Sequence, residues 1–331
     1  MCTAMTLQTL QDNTFLGRTM DFSYPLDPEL YIVPRNYQWN STLNGQTFQN
    51  RFCFIGIGQT ISHLAFADGV NEKGFAAAAL YFPGFAQYDE ENPHDTSTVS
   101  IAANELLGYL LGNCASVEQA AGLLDNVRIV GTKDNITQSV APLHWIIAEQ
   151  SGRCAVIEKM AGGLYIWNNP LGILSNSPDF SWHMTNLRNY LNIETFQRPE
   201  ARWNSVKLTP FGQGAGTIGL PGDYTPPARF VKTAYQKSHV PAPANDREAV
   251  ISCFHVMEGV SIPKGIVITN RQTPDYTQYT AFMSLATAEY YFKTYNESGI
   301  STAGLQDYSQ NSELLSLGKL NRPTVFTRMQ S

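Results

Sequence analysis

Residues 3–9 and 14–20 are two short segments rich in Thr, Leu, Met and Phe, and Gln11-Asp12-Asn13 between them is a turn signal. A chain that opens this way is committed to an antiparallel hairpin before any long-range choice is made. Pairing across a turn near Asp12 places Cys2 opposite residues around 21 to 23, with the register open by a residue or two. The hairpin therefore brings Cys2 beside Arg18 and Asp21 of "GRTMD".

The same texture continues. "YIVPRNYQW", "RFCFIGIG" and "LAFADGVNEKGFAAAALYF" read as strands with polar breaks. Ile101, Leu106, Leu107, Leu110 and Leu111 then give the spacing of one helical face. A second helix starts at Ser116, with Gln119 three residues on in a capping-box pattern. "LHWIIAEQSGRCAVIEKMAGGLYIWNN" is a meander that turns at Gln150-Ser151-Gly152 and Ala161-Gly162-Gly163. Residues 181–192 are weakly helical and open a helix-and-loop stretch. "IPKGIVITN", "YTQYTAFMSLA" and "EYYFKTYN" form a later meander. Runs of strands separated from runs of helices favour α+β, with antiparallel sheets and helices packed outside. No polar linker divides residues 1–331, so a single domain is expected, ending in a polar tail from about 309 to 331.

Composition removes several function classes. The net charge of −6 opposes a nucleic-acid partner, since phosphate needs a basic face. No run of about 18 apolar residues exists and no basic-then-apolar leader precedes the first strand, so no membrane partner is expected and a cytoplasmic location is. The five cysteines are widely spaced without a CxxC, which suits reduced thiols. The six histidines show no metal-ligand spacing, so no metal site is expected. "FGQGAGTIGLPG" lacks the Lys-Ser/Thr of a phosphate loop.

Cys2 carries the chemistry. With Met1 trimmed, it would hold a thiol with a pKa of roughly 8.5 and an α-amine with a pKa of about 7.7 to 8. One residue then supplies nucleophile and base, and no histidine is needed. Taken singly, each residue has a plainer reading. Cys2 would be a small buried hydrophobe, Arg18 and Asp21 a strand-end ion pair, and Asn176 before Ser-Pro an Asx-turn. A cation beside the thiol stabilises the thiolate, and a carboxylate can orient the amine, so their joint presence outweighs the separate readings.

"MCTAMTL", "GRTMDF", "LYFPGFAQY", "SNSPDF" and "GLPGDYTPPARF", in that order from residue 2 to residue 230, resemble the choloylglycine hydrolases. These are N-terminal-nucleophile hydrolases that include bile salt hydrolases and penicillin V acylases. The resemblance implies a four-layer αββα sandwich of two antiparallel sheets between helical layers. It implies Cys2 as nucleophile, Arg18 by the sulfur and Asp21 on the α-amine. Asn176 and the Tyr81 N–H would form the oxyanion hole, and Arg229 would complete the charged shell around the sulfur. The substrate would be a small-molecule N-acyl amide, and no cofactor is required. A homotetramer is implied, with residues from about 188 to 220 as the assembly arm. Met20 and Phe22 flank Asp21 and would line the pocket with Tyr81. Tyr81 stands where bile salt hydrolases tend to carry asparagine and penicillin V acylases tyrosine, which favours penicillin V. Conjugated bile salts are the alternative, and N-acyl homoserine lactones a further one. A thioester could also pass to an amine acceptor. A non-enzymatic β-sandwich binding module is the reading from another class.

Overall fold

The computed structural model describes all residues except 44–45, 93–97, 136, 327 and 329–331. Two antiparallel sheets dominate it. The first runs in the order Ile173–Leu174, Cys2–Gln8, Thr14–Phe22, Pro274–Ser284, Glu289–Thr294, Ser301–Gly304, with Val267–Ile268 added beside Pro274–Ser284. The second runs Gly163–Asn168, Cys154–Met160, Leu143–Glu149, Phe75–Tyr81, Leu64–Asn71, Phe54–Thr60, Glu29–Val33, Leu315–Lys319.

Strand residues alternate between two cores. Ala76, Ala78, Leu80, Ile146 and Val156 face the first sheet. Phe75, Ala77, Ala79, Trp145 and Ile157 face the opposite way, against the helices Leu106–Asn113 and Val117–Leu124. A strand buried on both faces reads as a continuous apolar run, which is what "FAAAALY" is. On the far side of the first sheet lie the helices Pro226–His239 and Asp246–Glu258. The layers are thus helix, sheet, sheet, helix. Each large aliphatic or Phe side chain fully buried between them contributes about 1.5–3 kcal/mol. The sheet interior is closely fitted at Gly17, where an added Cβ would lie 2.1 Å from Phe282 Cδ1.

Local expectations hold where local chemistry decides. Ser116 Oγ accepts from the Gln119 N–H at 3.1 Å, as a helix cap should, and the 143–168 meander forms as expected. Several boundaries move. The opening hairpin centres on Gln11, because Thr9 Oγ1 accepts from the N–H groups of Gln11 and Asn13 and closes a five-residue loop. That register sets Cys2 opposite Met20 rather than 21 to 23. Ile101 belongs to the strand Val99–Ala102, which pairs in parallel with Val127–Val130, and the helix begins only at Leu106. "YIVPRNYQW" breaks after Val33, where the turn at Pro34–Asn36 interrupts it. In the expected polar tail, Leu315–Lys319 pairs with Glu29–Val33, so that part joins the sheet edge. Sequence reading left unnamed the helix Asp246–Glu258, although Asn245 and Glu248 form a cap there: Asn245 Oδ1 accepts from the Glu248 N–H at 3.0 Å.

Candidate active site

The hairpin places Cys2 at the first residue of a central strand, with the next strand on one side. Along Thr14–Phe22 successive side chains point to opposite faces. Arg18, Met20 and Phe22 face a cavity between the sheets, and so does Cys2. Thr19 and Asp21 face outward, toward the helix Pro226–His239. The site is therefore built on both faces of one sheet.

On the cavity face, Arg18 Nη2 donates to Cys2 Sγ at 2.6 Å. The guanidinium is buried and fixed by further bonds from Nη1 to the carbonyls of Ala79 (2.7 Å) and Ala67 (3.1 Å), and from Nε to that of Thr19 (3.2 Å). Asp68 Oδ2 lies 3.8 Å from Nη1. The Asp68 carboxylate in turn accepts from the hydroxyls of Tyr279 (2.7 Å) and Tyr290. Burial pulls the Arg18 guanidinium down, but the Cys2 sulfur, Tyr279, Asp68 and Asp21 together outweigh it and raise it. Arg18 stays charged beside the thiol. Burial likewise pushes the Asp68 carboxyl up, against Arg18 and the two tyrosines.

On the outer face, Arg229 is also fully buried. It donates to the Cys2 carbonyl (2.6 Å), to Asn176 Oδ1 (2.7 Å) and to Thr3 Oγ1, and lies 3.5 Å from Asp21 Oδ2. It holds the backbone of Cys2 from behind; its hydrogen bonds do not reach the sulfur, because it projects from a helix on the other side of the sheet. The Asp21 carboxylate accepts from Thr277 (2.6 Å) and Thr19 (3.2 Å), and its backbone carbonyl accepts from the Met1 amine at 2.5 Å. Burial raises the Asp21 carboxyl, while Arg229 and the chain's amine pull it back.

Asn176 joins both faces. Its Oδ1 accepts from the Cys2 N–H at 2.6 Å, and its Nδ2 donates to the Tyr81 carbonyl at 2.6 Å. Pairing between Leu64–Asn71 and Phe75–Tyr81 ends at Ala78. Beyond it, Ala79 offers its carbonyl to Arg18 and Tyr81 offers its carbonyl to Asn176. The Phe82 N–H points the other way, to Pro142. Backbone groups alternate between strand edges, so the Tyr81 N–H points to the cavity edge between Arg18 and Asn176.

Sequence reading missed the supports beneath these groups. His183 Nε2 donates to the Asn176 carbonyl at 2.8 Å, and burial holds its imidazole down to about 4, so it is neutral. Glu158 accepts from His144 (3.2 Å), Trp167 (2.9 Å) and the Phe180 N–H (3.0 Å). The one available signal was Asp68, a charge inside the apolar strand "LAFADGVN".

The cavity above the sulfur holds about 170 Å³ and opens to solvent. Met20, Phe22, Ile57, Phe66 and Leu143 give it apolar walls, and Asn104, Asp134 and Thr137 a polar edge. Tyr81 lines it too, with its ring edge-on to Phe22 at 5.8 Å. A cationic group on a thiol at the floor of an apolar chamber is a setting for nucleophilic attack on an acyl carbon.

The family model for linear amide C–N hydrolases of the choloylglycine hydrolase type matches residues 2–316. The chain belongs to the choloylglycine hydrolase family. It is therefore a linear amide hydrolase, and its four layers are the N-terminal-nucleophile hydrolase fold. Within that family it is 32% identical to a bile salt hydrolase/transferase of Clostridium perfringens, over 97% of this chain and 98% of that protein. It is 33% identical to a conjugated bile acid hydrolase of Lactobacillus gasseri, over 95% and 99%. The crystal structure of the C2A variant of the C. perfringens conjugated bile acid hydrolase superposes with a TM-score of 0.92, at 30% identity and full coverage of both chains. A penicillin V acylase of Pectobacterium atrosepticum is more distant, at 23% over 86% of this chain and 74% of that protein. The penicillin V preference read from Tyr81 is thus less well supported than its bile salt alternative. Tyr81 is one wall residue, packed on Phe22, in a cavity shaped by many segments.

Proposed function

We propose that this chain hydrolyses the amide bond of conjugated bile salts, with Cys2, freed of Met1, as nucleophile. The observation that carries the reading is the Cys2 sulfur, bonded to a buried Arg18, at the floor of a cavity with apolar walls. A steroid acyl chain supplies the apolar surface such a chamber can bury. The bile salt relatives at 32–33% identity point to the same acyl class.

With Met1 in place the Cys2 nitrogen is an amide that donates to Asn176 Oδ1, while the Met1 ammonium lies 3.3 Å from Asp275. Loss of Met1 turns that nitrogen into an amine beside the thiol. The amine takes the thiol proton, and the sulfur bonds to the substrate carbonyl carbon. The oxyanion is met by the Tyr81 N–H and the second Nδ2 hydrogen of Asn176. As the C–N bond breaks, the ammonium returns its proton to the departing amine, leaving a thioester. Water gives a proton to the amine and hydroxide to the thioester carbon; the C–S bond then breaks, the thiolate takes its proton back from the ammonium, and the acid leaves. Arg18 stabilises the thiolate on both occasions. Asp21 and Arg229 fix the backbone from which both reacting groups project.

Release of glycine from glycodeoxycholate is measured beside release of phenoxyacetate from penicillin V, with intact-mass analysis and a Cys2→Ala control. The bile salt is expected to turn over faster, in protein lacking Met1, and Cys2→Ala to lose at least about a thousandfold. Faster turnover of penicillin V would restore the preference read from Tyr81. Activity with Met1 retained would refute the amine's role.

The segment from about 188 to 220 supports the assembly expectation. Leu191, Phe196 and Trp203 are 86%, 77% and 74% exposed, and Phe211 and Ile218 are also bare. Isolated surface apolar residues are ordinary, but a clustered arm of them is an interaction surface. We propose that second copies of the chain cover it, in a tetramer.

A further inference from the structure

One ring back from the cavity-lining Phe22, over Tyr24, stands a cation that the proposed chemistry leaves unused. Arg271 stands at the tip of the turn between Val267–Ile268 and Pro274–Ser284, closed by the Thr269 N–H on the Thr273 carbonyl at 2.9 Å. Its guanidinium lies over the Tyr24 ring, 4.7 Å from the centroid, and Nη2 donates to Ser23 Oγ at 2.7 Å. Tyr24 packs on Phe22 at 5.7 Å, and Phe22 on Tyr81 at 5.8 Å. A continuous aromatic path therefore leads from the cavity wall to Arg271. Burial raises the Tyr81 phenol, and Arg271 is the first charge acting against that, so its field reaches Tyr81.

Among the described residues no carboxylate lies within salt-bridge distance of Arg271. Asp134 accepts from the N–H and the hydroxyl of Thr137, both at 2.6 Å. Asp275 faces the Met1 amine at 3.3 Å and loses that partner with Met1, which leaves it in the field of Arg229 and not paired with Arg271. Arg271 thus keeps Nε and Nη1 for a ligand while a stack and one hydrogen bond hold it still. A preorganised guanidinium loses little freedom when it binds an anion.

The direction of the reaction says which end of the substrate arrives there. The apolar cavity takes the acyl group. The departing nitrogen receives its proton from the Cys2 nitrogen, so it lies on the side where Met1 now leads out, past Asp275 and the 267–275 hairpin. We propose that Arg271 is the recognition group for an acidic substituent, carboxylate or sulfonate, on the amine half of the substrate. This rests on the amide-hydrolase reading of Cys2, but not on which acyl group is preferred. Glycine, taurine and the penicillin nucleus share an acid group on the amine half, so one cation serves different acyl classes.

The test holds the acyl group fixed and changes only the charge. kcat/KM is measured for cholylglycine against cholylglycinamide, and for phenoxyacetylglycine against phenoxyacetylglycinamide. The protein is used as wild type, Arg271→Met and Arg271→Lys. Wild type is expected to favour the acid by about tenfold in whichever pair it accepts, mostly through KM. Arg271→Met brings that ratio close to one, with the larger loss on the acid, and Arg271→Lys retains part of it. An unchanged ratio in Arg271→Met, or equal losses on acid and amide, overturns the proposal. Turnover of the phenoxyacetyl pair alone, with the ratio still set by Arg271, would sink the bile salt reading and keep this one. No turnover of any of the four would remove the hydrolase mechanism on which it rests.

Discussion

The floor of the active site and the 188–220 arm obey opposite rules. At the floor, Arg18, Asp21, Asp68 and Arg229 are all buried, and each charge meets an opposite charge or several hydrogen bonds inside one chain. On the arm, Phe196, Trp203 and Phe211 stand bare in water. One region has taken polar groups out of solvent and satisfied them; the other has left apolar groups in solvent uncovered. The first is complete in a single protomer. The second, on the assembly proposed above, would be covered by further copies of the chain. Chemistry and assembly are separable on this reading, and substitutions in one should leave the other's readout alone.

The largest effect belongs to the floor. Arg229→Leu strands the Asp21 carboxylate without its cation, and breaking a buried pair from one side costs about 3–5 kcal/mol. Urea unfolding checks this, and a loss under about 1 kcal/mol would mean that solvent reaches Asp21 in the variant. Next is the pH dependence of His183. Its imidazole is held at about 4 by burial, against an ordinary 6.5, so the folded state resists protonation. A depressed value means this contribution is complete above 6.5 and is lost as pH falls toward 4. It amounts to about 3 kcal/mol at most. His183→Gln can keep a donor to the Asn176 carbonyl and does not titrate, so the difference from wild type should shrink across that window. A constant offset between pH 7 and 4 would exclude the imidazole as its source. The smallest effect on catalysis is expected at the arm. Trp203→Ser with Phe211→Ser should shift sedimentation at micromolar protein toward the monomer while kcat per chain stays within about twofold. A large fall in kcat would show that assembly shapes the site after all.

What the sequence disclosed follows the same divide between near and far. The opening hairpin, the Ser116 cap and the 143–168 meander rest on neighbours a few residues apart, and they were legible. Cys2 beside Arg18 followed from the hairpin alone. The resemblance placed Arg229 in the charged shell around the sulfur, and Cys2 is among the charges that act on it. Only the helix's position behind the sheet shows that it grips the Cys2 carbonyl. Asp68 lies more than 200 residues from Tyr279 and Tyr290 in the chain, and no local pattern joins it to them. The Leu315–Lys319 strand was hidden for a related reason. It is an edge strand whose partner, Glu29–Val33, lies near the other end of the chain.

The backbone of Cys2 has a consequence for how the protein can be handled. Its nitrogen is already enclosed, 2.6 Å from Asn176 Oδ1, and whatever precedes it must leave through the rim beside Asp275. An affinity tag fused ahead of Cys2 would occupy that exit and hold the nitrogen as an amide. If the amine is the base, such a fusion folds, binds and does not turn over until a protease cuts immediately before the cysteine. Timed cleavage would then start catalysis on demand, turning the first peptide bond into a trigger.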